Sequence, residues 1–299
     1  MKIIKNAFVY RINLPASAAL QDHLAELQHR PILETESGNA GFVLIHGEQV
    51  ANFTGGIAFA IQYDEKILPA SVVREEVKRR AAKIEEQSGY KIGRADREAI
   101  KDQVIVDLLK VSHVKSQTIV GFYHQDSRLL FVNTSSKKMA GLFTGKLVRA
   151  VGAAKTETIN ISDVKGGLTT RLALHMAQDG SDPFGQFELE PDVWLKGDSG
   201  KITYQIDDLS TGDRGLIEAL NAGMRVESVR LGYGPVSFKL TSDFEFKAIR
   251  FEEGEPAEHD DAVELWRQEA SVQVFSLVRA IEALCTLFDY QAPTEDPAA

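Results

Sequence analysis

The sequence predicts an α+β fold in which mixed, mostly antiparallel sheets pack against long amphipathic helices. Short β-favouring segments follow one another across tight turns, as at 116–133 and 226–251, where hairpins are expected. Two long segments, 69–89 and 262–288, place apolar residues at helical spacing. Strands and helices do not alternate strictly, which favours this class over a doubly wound parallel sheet.

The first half of the chain is predicted to combine strands with four helices. Pro69 suits the first turn of the long helix, because the N–H that proline lacks would be unpaired there, and Gly89 ends it. Its apolar face comprises Val72, Val73, Val77, Ala81 and Ile84. The predicted elements are a strand at 7–14, a helix at 17–29, strands and turns at 38–56, a strand at 57–63, helices at 69–89 and 95–110, paired strands at 116–123 and 128–133, and a helix from Thr134 or Ser135 to about Gly152.

The second half is predicted to contain a three-stranded meander and to end in a long helix. Turns at Gly234-Pro235 and Ser242-Asp243 separate the strands of the meander. The predicted elements are a strand at 169–177, a short helix at 188–195, a strand at 201–206, a helix at 210–223, strands at 226–233, 236–240 and 244–251, an acidic loop at 252–261, a helix at 262–288 and a disordered tail at 291–299. We predict domains at 1–155 and 156–290.

Charge is distributed unevenly along the chain. The net charge of the 299 residues is −9, which by itself argues against a nucleic-acid partner. Residues 66–155, however, hold 18 lysines and arginines against 9 aspartates and glutamates. This asymmetry favours a polyanion partner, while solvated helix faces explain it equally well. Because no run of eighteen apolar residues occurs, we expect a soluble cytoplasmic protein with no membrane partner.

Motifs for catalysis and metal binding are scarce. The single cysteine, Cys285, sits in an apolar segment and excludes an internal disulfide. The segment 141–147 departs from a phosphate-binding loop in its spacing, and the histidines lack the spacing of paired metal ligands. One pattern supports an alternative: Glu245 and Lys247, with Asp243 before them, share a strand face as in metal-dependent nucleases. The polar face of an antiparallel strand explains the same pattern.

Several segments together resemble the RdgC family of recombination-associated proteins over nearly the whole chain. They are KNAFVYR at 5–11, EKILP at 65–69, AIKDQV at 99–104, SQT at 116–118 and SSKK at 135–138. The match is strongest from 65 to 150. Lys115 stands where members of the family often carry an aromatic residue.

The resemblance implies a homodimeric ring that encircles double-stranded DNA with a basic inner wall. It implies no catalysis, no cofactor and no metal, together with a nucleoid-associated role in recombination that restrains the RecA recombinase. Wall residues were chosen by position and charge rather than by motif. They are Lys78, Arg79, Lys83, Lys115, Lys137, Lys138, Lys146, Arg149, Arg225 and Arg230.

Overall fold

In the computed structural model, two antiparallel sheets share one long helix, which confirms the predicted α+β class. The structure describes residues 3–152, 156–158, 164–177, 182–197, 200–204, 214–252 and 261–290. The predicted tail at 291–299 and most of the acidic loop at 252–261 lie outside these ranges. So does 205–213, where a strand was predicted to end and a helix to begin.

The first sheet has the strand order β2-β4-β5-β6-β1-β7, and β3 also pairs with β4. Every described pairing within it is antiparallel. Its strands are β1 (Phe8–Ile12), β2 (Gly38–Val43), β3 (Ala51–Phe53), β4 (Gly56–Lys66), β5 (Val114–His124), β6 (Leu129–Val132) and β7 (Thr156–Thr158). The predicted domain boundary at 155 thus falls just before a strand that pairs with β1.

Both faces of this sheet are covered, so β4 is a nearly continuous apolar run. Phe59 and Ile61 pack with helices α1 (Ser17–Ala25) and α4 (Lys137–Val151). Ala58, the residue before Phe59, belongs to the core on the opposite face. Continuous burial on both faces removes the alternation of polar and apolar residues expected of a half-exposed strand.

A pair of long helices follows β4 and returns the chain to β5. The helices are α2 (Ala70–Ser88) and α3 (Arg94–Val111), joined by a turn in which Gly89 adopts φ 72°. They pack chiefly against each other. The predicted apolar face of α2 is largely uncovered, since Val72 is 46% exposed and Ala81 is the helix's one buried residue. Within a single chain, this helical hairpin therefore leaves apolar surface in water.

The second sheet has the order β12-β11-β10-β8-β9 and contains the predicted meander. Its strands are β8 (Glu188–Gly197), β9 (Gly200–Tyr204), β10 (Arg225–Tyr233), β11 (Val236–Thr241) and β12 (Phe246–Phe251). The short helix predicted at 188–195 is wrong, because Val193 and Leu195 are buried in alternation with more exposed neighbours along β8. Pro191 lies at an irregularity in the pairing with β10, where a missing N–H is tolerated.

Three described helices belong to this second half: α5 (Val164–Ala177), α6 (Arg214–Asn221) and α7 (Ala262–Leu287). The strand predicted at 169–177 is wrong, since the segment is part of α5. Leu168, Leu172 and Met176, four residues apart, are all buried in the core. This spacing of four residues is that of one face of a helix.

Helix α7 connects the two sheets. Trp266 lies 6.1 Å from Phe122 of the first sheet, ring centroid to centroid, and α7 also contacts β11 of the second. Among the described helices, α7 alone is long and apolar enough to cross a membrane, and half of its apolar window is buried in the core. The sheets also meet directly, because Ala7 and Phe246 form a β-bridge.

Candidate nucleic-acid interface

Helix α4 is held against the first sheet by an aromatic side chain. Phe143 is fully buried and stacks on Phe59 with ring centroids 5.6 Å apart. Gly121 of β5 permits this approach, because a Cβ atom there would lie 2.4 Å from Phe143 Cζ. Ser136 caps the helix, its hydroxyl accepting from the Met139 N–H at 3.4 Å, where Thr134 or Ser135 was predicted. The anchored helix presents a fixed outer face to solvent.

The outer face of α4 is basic and free of carboxylates. The helix contains four cations and no acidic residue; we call this set the α4 basic face, and its members are Lys137, Lys138, Lys146 and Arg149. Lys137 and Arg149 are exposed, and Lys146 is half-buried. Within the described residues, no carboxylate lies within 4.0 Å of Lys137, Lys146 or Arg149. Lys138, by contrast, has one carboxylate within that distance. Gly141 and Gly145, also exposed, leave the face smooth.

The carboxylate near Lys138 belongs to Glu65, at the end of β4. Lys138 Nζ lies 3.4 Å from Glu65 Oε1 and 5.7 Å from the centroid of the Tyr63 ring. Lys115 is directly opposite Glu65 in the pairing of β4 with β5. The fold therefore brings two predicted wall residues to the Glu65 end of β4, Lys138 by an ion pair and Lys115 by strand register. This convergence depends on strand register, which the sequence alone did not reveal.

The three predicted wall residues on α2 lie on the helical hairpin rather than beside α4. Lys78, Arg79 and Lys83 are exposed. Arg79 is engaged by Glu76, with a hydrogen bond of 2.8 Å from Nε and one of 2.7 Å from the neighbouring guanidinium nitrogen. These contacts lower the pKa of Glu76 to about 2 and raise that of Arg79. Lys78 lines a groove of about 620 Å³ along α2.

The two predicted residues on β10 differ sharply in accessibility. Arg225 is exposed at the start of the strand. Arg230 has only 7% of its side chain exposed, and its Nε lies 3.4 Å from Asp192 Oδ2. A second guanidinium nitrogen donates to the Ala248 carbonyl at 3.3 Å. Arg230 is thus held inside a buried ionic network, and we omit it from the DNA-contacting set.

The residues of the nuclease alternative are paired with each other. Lys247 Nζ lies 2.6 Å from Glu245 Oε2, which neutralises the carboxylate that a metal ion would need. Among the described residues, no group of three or more histidine, cysteine, aspartate or glutamate side chains is arranged to hold a metal ion. The described geometry therefore offers the nuclease alternative no metal-binding cluster.

Comparison with known proteins places the chain in a family. A family model described as "Putative exonuclease, RdgC" matches residues 3–290. The chain belongs to the RdgC family. It is 25% identical over 268 residues to a protein of Shewanella halifaxensis named "Recombination-associated protein RdgC", and the alignment covers 86% of each chain. Relatives with the same name from Shewanella sp. ANA-3 and Shewanella piezotolerans are each 26% identical, again over 86% of each chain.

Membership in the RdgC family confirms the resemblance carried by the segments at 5–11 and 65–138. The match includes both sheets and the helical hairpin. The printed descriptions point in two directions, since one names an exonuclease and the other an association with recombination. The choice between a nuclease and a recombination-associated protein without nuclease activity therefore depends on the geometry of the described residues.

Proposed function

We propose that this RdgC-family protein binds double-stranded DNA without sequence preference and acts in recombination. The observation that carries the proposal is the α4 basic face, where Lys137, Lys146 and Arg149 have no carboxylate within 4.0 Å among the described residues. Surface cations that are not neutralised by their own chain are available to phosphates. The names of the relatives link similar proteins to recombination.

Binding through this face is expected to be independent of base sequence. Lysine and arginine contacts to phosphates position a protein on the duplex but carry no sequence information directly. The fully exposed residues of α4 other than its cations are Gly141 and Gly145, which have no side chain with which to read base edges. An anchored helix with a smooth surface fits the regular repeat of the DNA backbone better than it fits a particular base pair.

We further propose that the protein acts as a homodimer through the helical hairpin. The hairpin leaves Ile67, Val72 and Val111 exposed by 51%, 46% and 77%. The groove along α2 has a floor that includes Val77 and Ala81, with Arg74 and Glu75 also lining it. Mixed charge beside an apolar floor suits a second copy of the same surface, as a two-fold interface requires.

A dimer that closes around DNA would reconcile the net charge of −9 with DNA binding. Enclosure retains the duplex without a large number of phosphate contacts, and an acidic exterior leaves the inner wall as the favourable surface. A closed ring on the duplex would also obstruct a recombinase filament, so restraint of RecA and a nucleoid location in the cytoplasm belong to the same proposal.

Fluorescence anisotropy with a labelled duplex tests the DNA-binding proposal. Arg149→Gln should weaken binding several-fold at about 0.1 M salt, because one phosphate contact is lost. Arg279→Gln is the matched control, since Arg279 is an exposed arginine on a different helix, α7. Equal affinity of the two variants, both at the wild-type value, would remove α4 from the interface.

A metal-dependent nuclease is the second candidate, favoured by the description of the family model. Incubation of supercoiled plasmid with the protein and Mg²⁺ or Mn²⁺ separates the two functions. We expect intact plasmid. Cleavage that disappears in Glu245→Gln but persists in the control Glu252→Gln would instead establish the nuclease.

A further inference from the structure

Three cations occupy directly opposite positions on three neighbouring strands of the second sheet. Arg225 of β10 pairs in register with Lys196 of β8, and Lys196 pairs in turn with Lys201 of β9. Residues directly opposite in an antiparallel ladder have Cα atoms about 4.5–5.5 Å apart, and their side chains share a face. Lys196 and Arg225 are both exposed. Lys196 was not among the residues chosen from the sequence.

Like charges in such positions destabilise a sheet unless something compensates them. The same sheet shows the usual compensation, because Lys239 and Lys247 also lie opposite each other. Lys239 Nζ is 2.9 Å from Asp192 Oδ2, and Lys247 Nζ is 2.6 Å from Glu245 Oε2. Each lysine of that pair has its own carboxylate, so the repulsion between them is cancelled within the chain.

Lys196 and Arg225 have no such partner in the part of the chain that the structure describes. Within the described residues, no carboxylate lies within 4.0 Å of either side chain. Both line a groove of about 510 Å³ at the end of the sheet, between the turn after α6 and the turn between β11 and β12. Glu227 and Asp243 also line the groove, and each already interacts with another group of the chain. Neither of these carboxylates lies within 4.0 Å of Lys196 or Arg225, so among the described residues the two cations have no ion-pair partner.

We propose that this groove, named here the sheet-end groove, binds the phosphodiester backbone of DNA through Lys196 and Arg225. The groove lies on the second sheet, whereas the α4 basic face lies on the first, so it is a second contact surface for DNA. The inference rests on the proposed function. An anion bound between the two cations supplies the compensation that the described residues do not provide. Neutral or cationic ligands would leave the repulsion in place, and the exposed cations suit an extended polyanion that passes over the sheet.

The salt dependence of DNA binding tests the groove. Affinities of the wild type, Lys196→Gln, Arg225→Gln and the double variant are measured for a duplex and for a single strand between 50 and 200 mM salt. Each single variant should reduce the slope of log affinity against log salt by about 1, and the double variant by about 2. Lys247→Gln is the matched control, because this lysine of the same sheet is already paired with Glu245; its slope should equal that of the wild type.

A second readout follows from the repulsion. Removing one of two opposed cations should raise the thermal unfolding midpoint of the free protein, whereas a residue that merely supports the fold would lower it. Loss of slope with the duplex supports the groove as a duplex site, and loss with the single strand alone supports it as a site for a displaced strand. Unchanged slopes with both ligands overturn the inference. If the slopes are unchanged but the wild type binds DNA and Arg149→Gln weakens that binding, the proposed function still stands. A wild type that binds no DNA contradicts both the groove and the proposed function.

Discussion

Lys138 and Glu65 join the first turn of α4 to the end of β4 with an Nζ–Oε1 distance of 3.4 Å. Both side chains are well exposed, at 66% and 48%, so the pair contributes little to stability. Its effect is on charge, because Glu65 is the one carboxylate within 4.0 Å of the α4 basic face among the described residues. The pair thus reduces the positive potential that DNA would meet.

Replacement of Glu65 should therefore tighten DNA binding. In Glu65→Gln, Lys138 loses its carboxylate partner and Lys115 loses the negative charge opposite it in register, and we expect a several-fold increase in duplex affinity at low salt with a steeper salt dependence. Glu98→Gln is the matched control, since Glu98 also pairs with an exposed lysine, Lys101, at 3.2 Å, but lies on α3. Anisotropy titrations measure both. Equal affinities for the two variants would show that Lys138 does not contact DNA.

The exposed glycines of α4 give a prediction in which stability and binding move in opposite directions. A Cβ atom at Gly145 would meet nothing within 4 Å, so Gly145→Ala should raise the free energy of unfolding by about 0.5–1 kcal/mol. DNA affinity should fall, because the added methyl group stands between the helix backbone and a phosphate. Urea unfolding and anisotropy give the two values. A variant that is more stable and binds DNA as the wild type does would show that DNA does not approach this turn.

If the protein dimerises through the helical hairpin, a single substitution on the hairpin should produce a monomer. Val72→Asp introduces charge on the uncovered face of α2 and should convert a dimer of 33.0 kDa chains to monomer while leaving the circular dichroism spectrum unchanged. Leu44→Asp serves as the control, because Leu44 is similarly exposed, at 56%, on the segment after β2. Sedimentation velocity distinguishes the two. A dimer that survives Val72→Asp, or a wild type that is already monomeric, contradicts the assignment.

The buried network of the second sheet predicts a loss of stability that depends on pH. Burial alone raises the pKa of Asp192, but the hydrogen bond and charge of Lys239, with Trp194 and Arg230, lower it overall. Asp192→Asn should cost about 3 kcal/mol at pH 7, since it leaves the buried Arg230 with only Glu190, whose Oε2 lies 4.0 Å from Nε, as a counterion.

The sign of the pH effect follows from the lowered pKa of Asp192. The stability that the carboxylate contributes is complete above the unfolded-state pKa of about 3.9 and is lost as pH falls through the lower folded-state value. Urea unfolding of both proteins between pH 7 and pH 3 should show their difference narrowing only below about pH 4. A constant difference across this range would exclude the titration of Asp192 as its source.

The sequence predicted the class of fold well because its local signals agreed with the tertiary structure. Pro69 and Gly89 bracket α2, and the turns at Gly234 and Ser242 separate the strands of the meander, as expected. The two wrong elements were those in which local preference and packing conflicted. Proline is unfavourable inside a paired strand, and Pro191 is tolerated in β8 because it lies at an irregularity in the pairing with β10.

The candidate site was only partly predictable for a similar reason. The cations of α4 could be recognised from the sequence, since all four lie on one predicted helix that has no acidic residue. The burial of Arg230 in an ion pair could not be recognised, because its partner Asp192 lies 38 residues away and meets it through strand pairing. Lys196 was missed because nothing in its own segment marks it; its opposition to Arg225 is a property of register.

The dependence of duplex affinity on salt, for two unrelated base sequences, tests the central claim most directly. We predict equal affinities for the two duplexes and a linear fall of log affinity with log salt, whose slope becomes shallower by about 1 in Arg149→Gln. Binding that is absent, insensitive to salt or selective for one of the two sequences would contradict the account.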